Sequence, residues 1–104
     1  MSETITFTTC RDRRQASAIA RALVEEKLAA CVNIVPAVAS IYVWEGKLEE
    51  AREVLLIIKS RSALSAKLTR RVKKLHSYSV PEVVTIPIAT GNPDYLAWVR
   101  ESTR

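Results

Sequence analysis

Apolar and polar residues alternate through Ile5-Thr6-Phe7-Thr8, a period of two that predicts a half-buried strand over residues 3–10. The period then changes. Ala16, Ile19, Ala20, Leu23 and Val24 recur every three or four positions and predict an amphipathic helix over 13–28. Asp12, three before Gln15, resembles a capping box at its start. From Cys31 to Trp44 the chain reads as one long strand, kinked or bulged at Pro36, which has no N–H for a ladder. Gly46 turns it, and a third strand covers 47–59, ending in the apolar run Val54-Leu55-Leu56-Ile57-Ile58 and Lys59. Ser62 is placed to cap a second helix with Leu64, Leu68, Val72 and Leu75 along one side. Pro81 forces an extended approach to a fourth strand, Val83 to Ile88. Asn92 and Pro93 open a short last helix carrying Tyr95, Leu96, Trp98 and Val99.

The order βαββαβ with a terminal helix predicts an α+β domain of ferredoxin-like, or split βαβ, arrangement spanning residues 1–104. Two helices would cover one face of an antiparallel sheet, leaving the other bare and in need of a partner. The second and third strands form a ribbon far longer than the usual ~5–6 residues. An apolar ribbon edge left uncovered invites pairing with another chain, and a closed oligomer is the natural solution.

Composition narrows the class without naming an activity. One domain, 48% hydrophobic with two Gly, is globular and regular. No apolar run approaches the ~20 residues of a membrane span, and nothing at the start reads as a secretory signal, so a cytoplasmic protein with free thiols is expected. The net charge of +5 fits anion affinity, but equally plain solubility. Helix two carries Arg61, Lys67, Arg70, Arg71, Lys73 and Lys74 with no acid from 61 to 76, which reads as a solvated face. Nucleic-acid binding would want stacking aromatics beside that charge, and strands one and three offer only Phe7.

Candidate chemistry is sparse. Two thiols and one imidazole, Cys10, Cys31 and His76, would suit a soft metal such as Cu(I). In this topology Cys10 ends strand one while Cys31 begins strand two, some 20 Å away for about six residues of strand. That distance forbids an intrachain disulfide or a shared metal. His76, ending helix two, returns to the edge where Cys10 sits. The plainer reading makes Cys31 a small core residue behind Ala29-Ala30 and Cys10 a loop residue. The same edge collects Tyr42, Trp44, Tyr78 and Glu82, enough for a small-ligand cleft or for anchors of a subunit interface. Lys59, at the opposite end of strand three, could line such a cleft only from a neighbouring subunit. With one His, no Ser-His-Asp or Cys-His-carboxylate set is evident, and no enzyme is expected.

Several stretches carry a resemblance. Thr8-Thr9-Cys10-x-Asp12, CVNIVP from Cys31, Ser40-x-Tyr42-x-Trp44-Glu45-Gly46-Lys47, LLIIK, His76-x-Tyr78-x-Val80-Pro81-Glu82 and Tyr95-Leu96-x-Trp98 together resemble the CutA family of divalent-cation tolerance proteins. The likeness runs over nearly the whole chain in order. Arg11 stands where the family commonly has Pro, Ser77 and Ser79 where it has Pro and Glu, and Val43 where it has a second Trp. The resemblance implies a homotrimer and a part in tolerance of, or response to, metal ions, copper among them, with no cofactor required. The family's trimer looks like that of PII signal proteins, so a small-ligand sensor with clefts between subunits is the second reading. Acylphosphatases share the fold, but Asn33 would lie at the wrong end of the sheet for their anion loop.

Overall fold

The computed structural model describes residues 2–104. In chain order the elements are β1 (Glu3–Cys10), α1 (Arg13–Glu25), β2 (Cys31–Trp44), β3 (Lys47–Arg61), a 3₁₀ turn (Ser62–Leu64), α2 (Ser65–Leu75), β4 (Val84–Pro87) and α3 (Pro93–Glu101). The strands form one antiparallel sheet in the order β2-β3-β1-β4. That is the ferredoxin-like arrangement.

Local chemistry explains where the elements stop. Asp12 caps α1 by accepting from the Gln15 amide at 2.8 Å, but the Gln15 side chain does not complete a capping box; its carbonyl accepts from the Ser77 hydroxyl. The helix ends at Glu25 rather than at 28 because Lys27 turns into the left-handed region, φ 62°. Amides of Lys27 and Leu28 then reach back to the carbonyls of Val24 and Leu23, a Schellman closure with Lys where Gly is usual. The 3₁₀ turn precedes α2, so Ser62 does not stand at the helix N-cap; Leu64 does, without a side-chain cap bond. Asn92 caps α3 through the Asp94 amide, with Pro93 at its first position.

Register decides which residues lie under the helices. Thr4, Thr6, Thr8 and Cys10 face the same side as their β3 partners Ser60, Ile58, Leu56 and Val54, and this side packs against Ala16, Ile19, Leu23, Leu68 and Val72. Thr6 and Thr85 satisfy one another at 2.7 Å, whereas the Thr4 and Thr8 hydroxyls have no hydrogen-bond partner among the described residues. Ile5 and Phe7 lie on the other side with Leu55, Ile57, Val84 and Ile86. That second face is not wholly bare. α3 covers one end of it, where Arg100 donates to the buried Glu3 carboxylate at 2.8 Å and Arg61 bonds Thr103. Val84 and Ile86, at the other margin, stay half exposed.

Beyond the sheet, β2 and β3 remain paired as far as Trp44 and Lys47. The register shifts between Val35 and Val38, around Pro36, which breaks the ladder for want of an N–H. Glu45 and Gly46, with φ 52° and 81°, make a two-residue turn of the mirror-image kind that suits a twisted hairpin. The ribbon stretches the molecule to 44 Å against 25 and 23 Å in its other dimensions. It is apolar on both faces: Ile41 (67% exposed), Val43 (67%) and Leu48 (77%) on one, Tyr42 and Trp44 on the other.

Candidate functional site

Where the ribbon leaves the sheet, a cleft of about 610 Å³ opens between it and the loop that joins α2 to β4. Cross-strand pairs Val38/Glu53, Ser40/Ala51, Tyr42/Glu49 and Trp44/Lys47 share one ribbon face, and the period of two thereby aims Ser40, Tyr42, Trp44 and Glu53 at one wall. Tyr78, Val80 and Glu82 form the facing wall.

The floor is a hydrogen-bonded chain. Tyr78 donates its hydroxyl to Glu53 Oε2 at 2.7 Å, and Glu53 is only 8% exposed. Burial first, then the Glu53 carboxylate, pushes the Tyr78 phenol far above its usual range, so it remains a neutral donor. Behind it the His76 ring packs on Tyr78 with centroids 4.7 Å apart. His76 Nδ1 accepts from the Tyr78 amide at 3.2 Å, which leaves Nε2 to carry the proton and donate to the Thr9 carbonyl at 2.8 Å. The ring therefore ties the cleft loop to the end of β1.

Each residue singled out in the sequence can be placed. Tyr42, Trp44, Tyr78 and Glu82 line one cavity, while His76 stands behind Tyr78. Lys59 lies at the far end of β3, opposite Ile5 and Cys31, where its ammonium donates to the Asn33 side chain. The burial of Cys10 and Cys31 is the reverse of that expected. Cys10 is fully buried at the end of β1, in the core with Val54, whereas Cys31 is only partly covered. Cys10 sits on the helix-facing side, and Cys31, on the alternate face, has Tyr95 of α3 beside it.

This geometry does not make a metal centre within one chain. Cys10 aligns with Val54 and Cys31 with Lys59, five positions apart on β3, or roughly 17 Å at ~3.3 Å per residue. Burial, then the Glu53 and Asp12 carboxylates, push the Cys10 thiol up to about 11, against the thiolate a metal needs. Both His76 nitrogens are engaged. Among the described residues no group of three or more His, Cys, Asp or Glu is arranged to hold an ion.

Glu53 is the important residue that sequence reasoning missed. A signal existed: it is the last charged residue before an unbroken apolar run, where a strand passes from ribbon to sheet. Only the register, setting it on the face of Tyr42 and Trp44, shows that it points into the cleft rather than to solvent.

Residues 4–102 match the family model described as CutA1 divalent ion tolerance protein. The chain belongs to the CutA1 family. It is 52% identical over 101 residues to the divalent-cation tolerance protein CutA of Thermus thermophilus, covering 97% of this chain and 98% of that one. A solved structure of the Thermus thermophilus protein superposes with a TM-score of 0.96 at 51% identity, covering 98% of this chain and 99% of that one. The mouse protein CutA is 50% identical over 97 residues, which make up 93% of this chain but 55% of the mouse protein. The chain thus spans about half the length of that relative. CutA1 names point to a tolerance or binding protein rather than an enzyme. Within the CutA1 fold, the ribbon that lengthens the molecule also supplies one wall of the cleft.

Proposed function

We propose that this chain works as a homotrimer in the cellular response to divalent cations, with three equivalent clefts at its subunit boundaries. The observation that carries the assembly is the ribbon: five large apolar side chains, Ile41, Tyr42, Val43, Trp44 and Leu48, are exposed on its two faces. Both faces stay exposed in the single chain, and exposed apolar surface of this kind marks interaction sites. The half-exposed Val84 and Ile86 add to the surface available for a neighbour. Membership of a family described by divalent ion tolerance supports the cation response.

Copper is the cation we put first. Its capture by Cys10, Cys31 and His76 requires a second subunit to bring Cys31 near, the buried Cys10 thiol to be uncovered and to lose its proton, and His76 Nδ1 to release the Tyr78 amide. A cytosolic location suits the two free cysteines. Among the described residues no helix is long and apolar enough to cross a membrane. The reading is of a binding protein, not an enzyme. Light scattering on the purified protein at micromolar concentration tests the assembly, with three times the 11.6 kDa chain mass expected and a monomer refuting it. Copper titration of wild type, Cys10→Ser and Cys31→Ser tests the ligands. Equal affinity in all three would remove the thiols from the site.

A further inference from the structure

The cleft combines features that select one kind of small molecule. Its volume of about 610 Å³ is in the range of ligand sites, roughly 300–1,000 Å³. Three aromatic rings, Tyr42, Trp44 and Tyr78, and two carboxylates, Glu53 and Glu82, stand around it, and within the one chain no Lys or Arg lines it. The nearest base on the same ribbon face is Lys47, at the tip, with Glu49 between it and Glu53. On a chain of net charge +5 this is an acidic, aromatic recess.

We propose that the cleft binds a small organic cation, an alkylammonium whose charge lies against the faces of Tyr42, Trp44 and Tyr78 and is balanced by Glu53 and Glu82. This rests on the reading of the cleft as a ligand site and names its ligand class. The ring faces attract cations through their quadrupoles, most strongly for Trp and when water is excluded. Glu53 is the anchor. It is nine-tenths buried, and the Tyr78 hydroxyl holds it as an acceptor facing the cavity. An anionic ligand would meet two carboxylates and no base from the chain that forms the cleft. A neutral one would leave Glu53 without a counter-charge. A divalent metal ion gives up its water shell only to a set of ligands, and the cleft offers it two carboxylates, with no cluster of three or more His, Cys, Asp or Glu among the described residues.

The test uses the full chain and a matched pair of probes: choline and its uncharged isostere 3,3-dimethylbutan-1-ol, titrated by ligand-observed NMR. Choline is expected to bind at least tenfold more tightly than the alcohol. Glu53→Gln and Trp44→Leu should each weaken choline tenfold or more without narrowing the gap by improving the alcohol. Glu82→Gln, at an exposed position, makes the same test should Glu53→Gln fail to fold. Equal affinity for the two probes, or no choline binding at concentrations on the order of 10 mM, overturns the proposal. So does displacement of choline by magnesium at matched ionic strength, which would make the cleft a metal site. Light scattering on the same samples separates the two ideas. A trimer that ignores choline sinks the cation ligand alone, and a monomer that binds it sinks the assembly alone.

Discussion

Raising the pH should destabilise this protein through Cys10. The thiol is completely buried at the junction of core and cleft floor, and burial with the nearby Glu53 and Asp12 carboxylates raises it from the ordinary 9.0 to about 11. In the unfolded chain it ionises about two pH units earlier. Between pH 9 and 11 the unfolded state therefore holds fewer protons, and stability falls as pH rises. The contribution is fully present below pH 9 and is gone by about pH 11. At about 1.4 kcal/mol per pH unit between the two values, the loss is about 3 kcal/mol. Tyr78, also raised by burial and Glu53, acts in the same direction at still higher pH. Urea denaturation from pH 8 to 11, at one fixed protomer concentration, should show this slope in wild type and a shallower one in Cys10→Ala. The difference isolates the thiol, because Tyr78 is common to both. In a Cys31→Ser background the remaining thiol should resist Ellman's reagent at pH 8 until the protein is denatured. Parallel pH dependences in wild type and Cys10→Ala, or a thiolate absorbance appearing near pH 9 in folded Cys31→Ser, would refute the reasoning.

Other outcomes follow from single side chains. Thr8→Val keeps the shape and removes a buried hydroxyl that has no partner among the described residues, so it should stabilise by about 1 kcal/mol in chemical denaturation. Lys27→Gly relieves a left-handed residue at the end of α1 and should raise stability by about 0.5–1 kcal/mol, seen as a higher melting temperature. Tyr78→Phe deprives the buried Glu53 carboxylate of its donor and should cost about 1–3 kcal/mol, whereas Tyr95→Phe, whose ring is more exposed, should cost less. Trp44→Ala should weaken the assembly, read as dissociation on dilution in sedimentation velocity.

The sequence carried the fold because its local signals agree. Period-two and period-three-to-four stretches, Pro36, Gly46 and the Asn92-Pro93 pair each specify an element or its end through nearest-neighbour sterics and hydrogen bonding. Element order then leaves few ways to build a sheet, so strand order was legible, as was the separation of Cys10 from Cys31. The aromatic grouping of Tyr42, Trp44 and Tyr78 was legible for the same reason. What the sequence did not contain was phase. Alternation in Ile5-Thr6-Phe7-Thr8 allows either face inward, and only pairing with β3, apolar on both sides, puts the threonines and Cys10 under the helices. Cys10 is thus core and Cys31 partly covered, against expectation, because burial is decided by what packs above a residue and not by its neighbours in the chain. Glu53 became part of the cleft by the same route: a β-residue changes face with each step, so its direction depends on a register shift near Pro36 and on a hydroxyl 25 residues away. Tertiary contact also fixed the His76 tautomer, because an imidazole's proton goes where its two partners leave room for it, and both partners are backbone groups from separate turns of the chain.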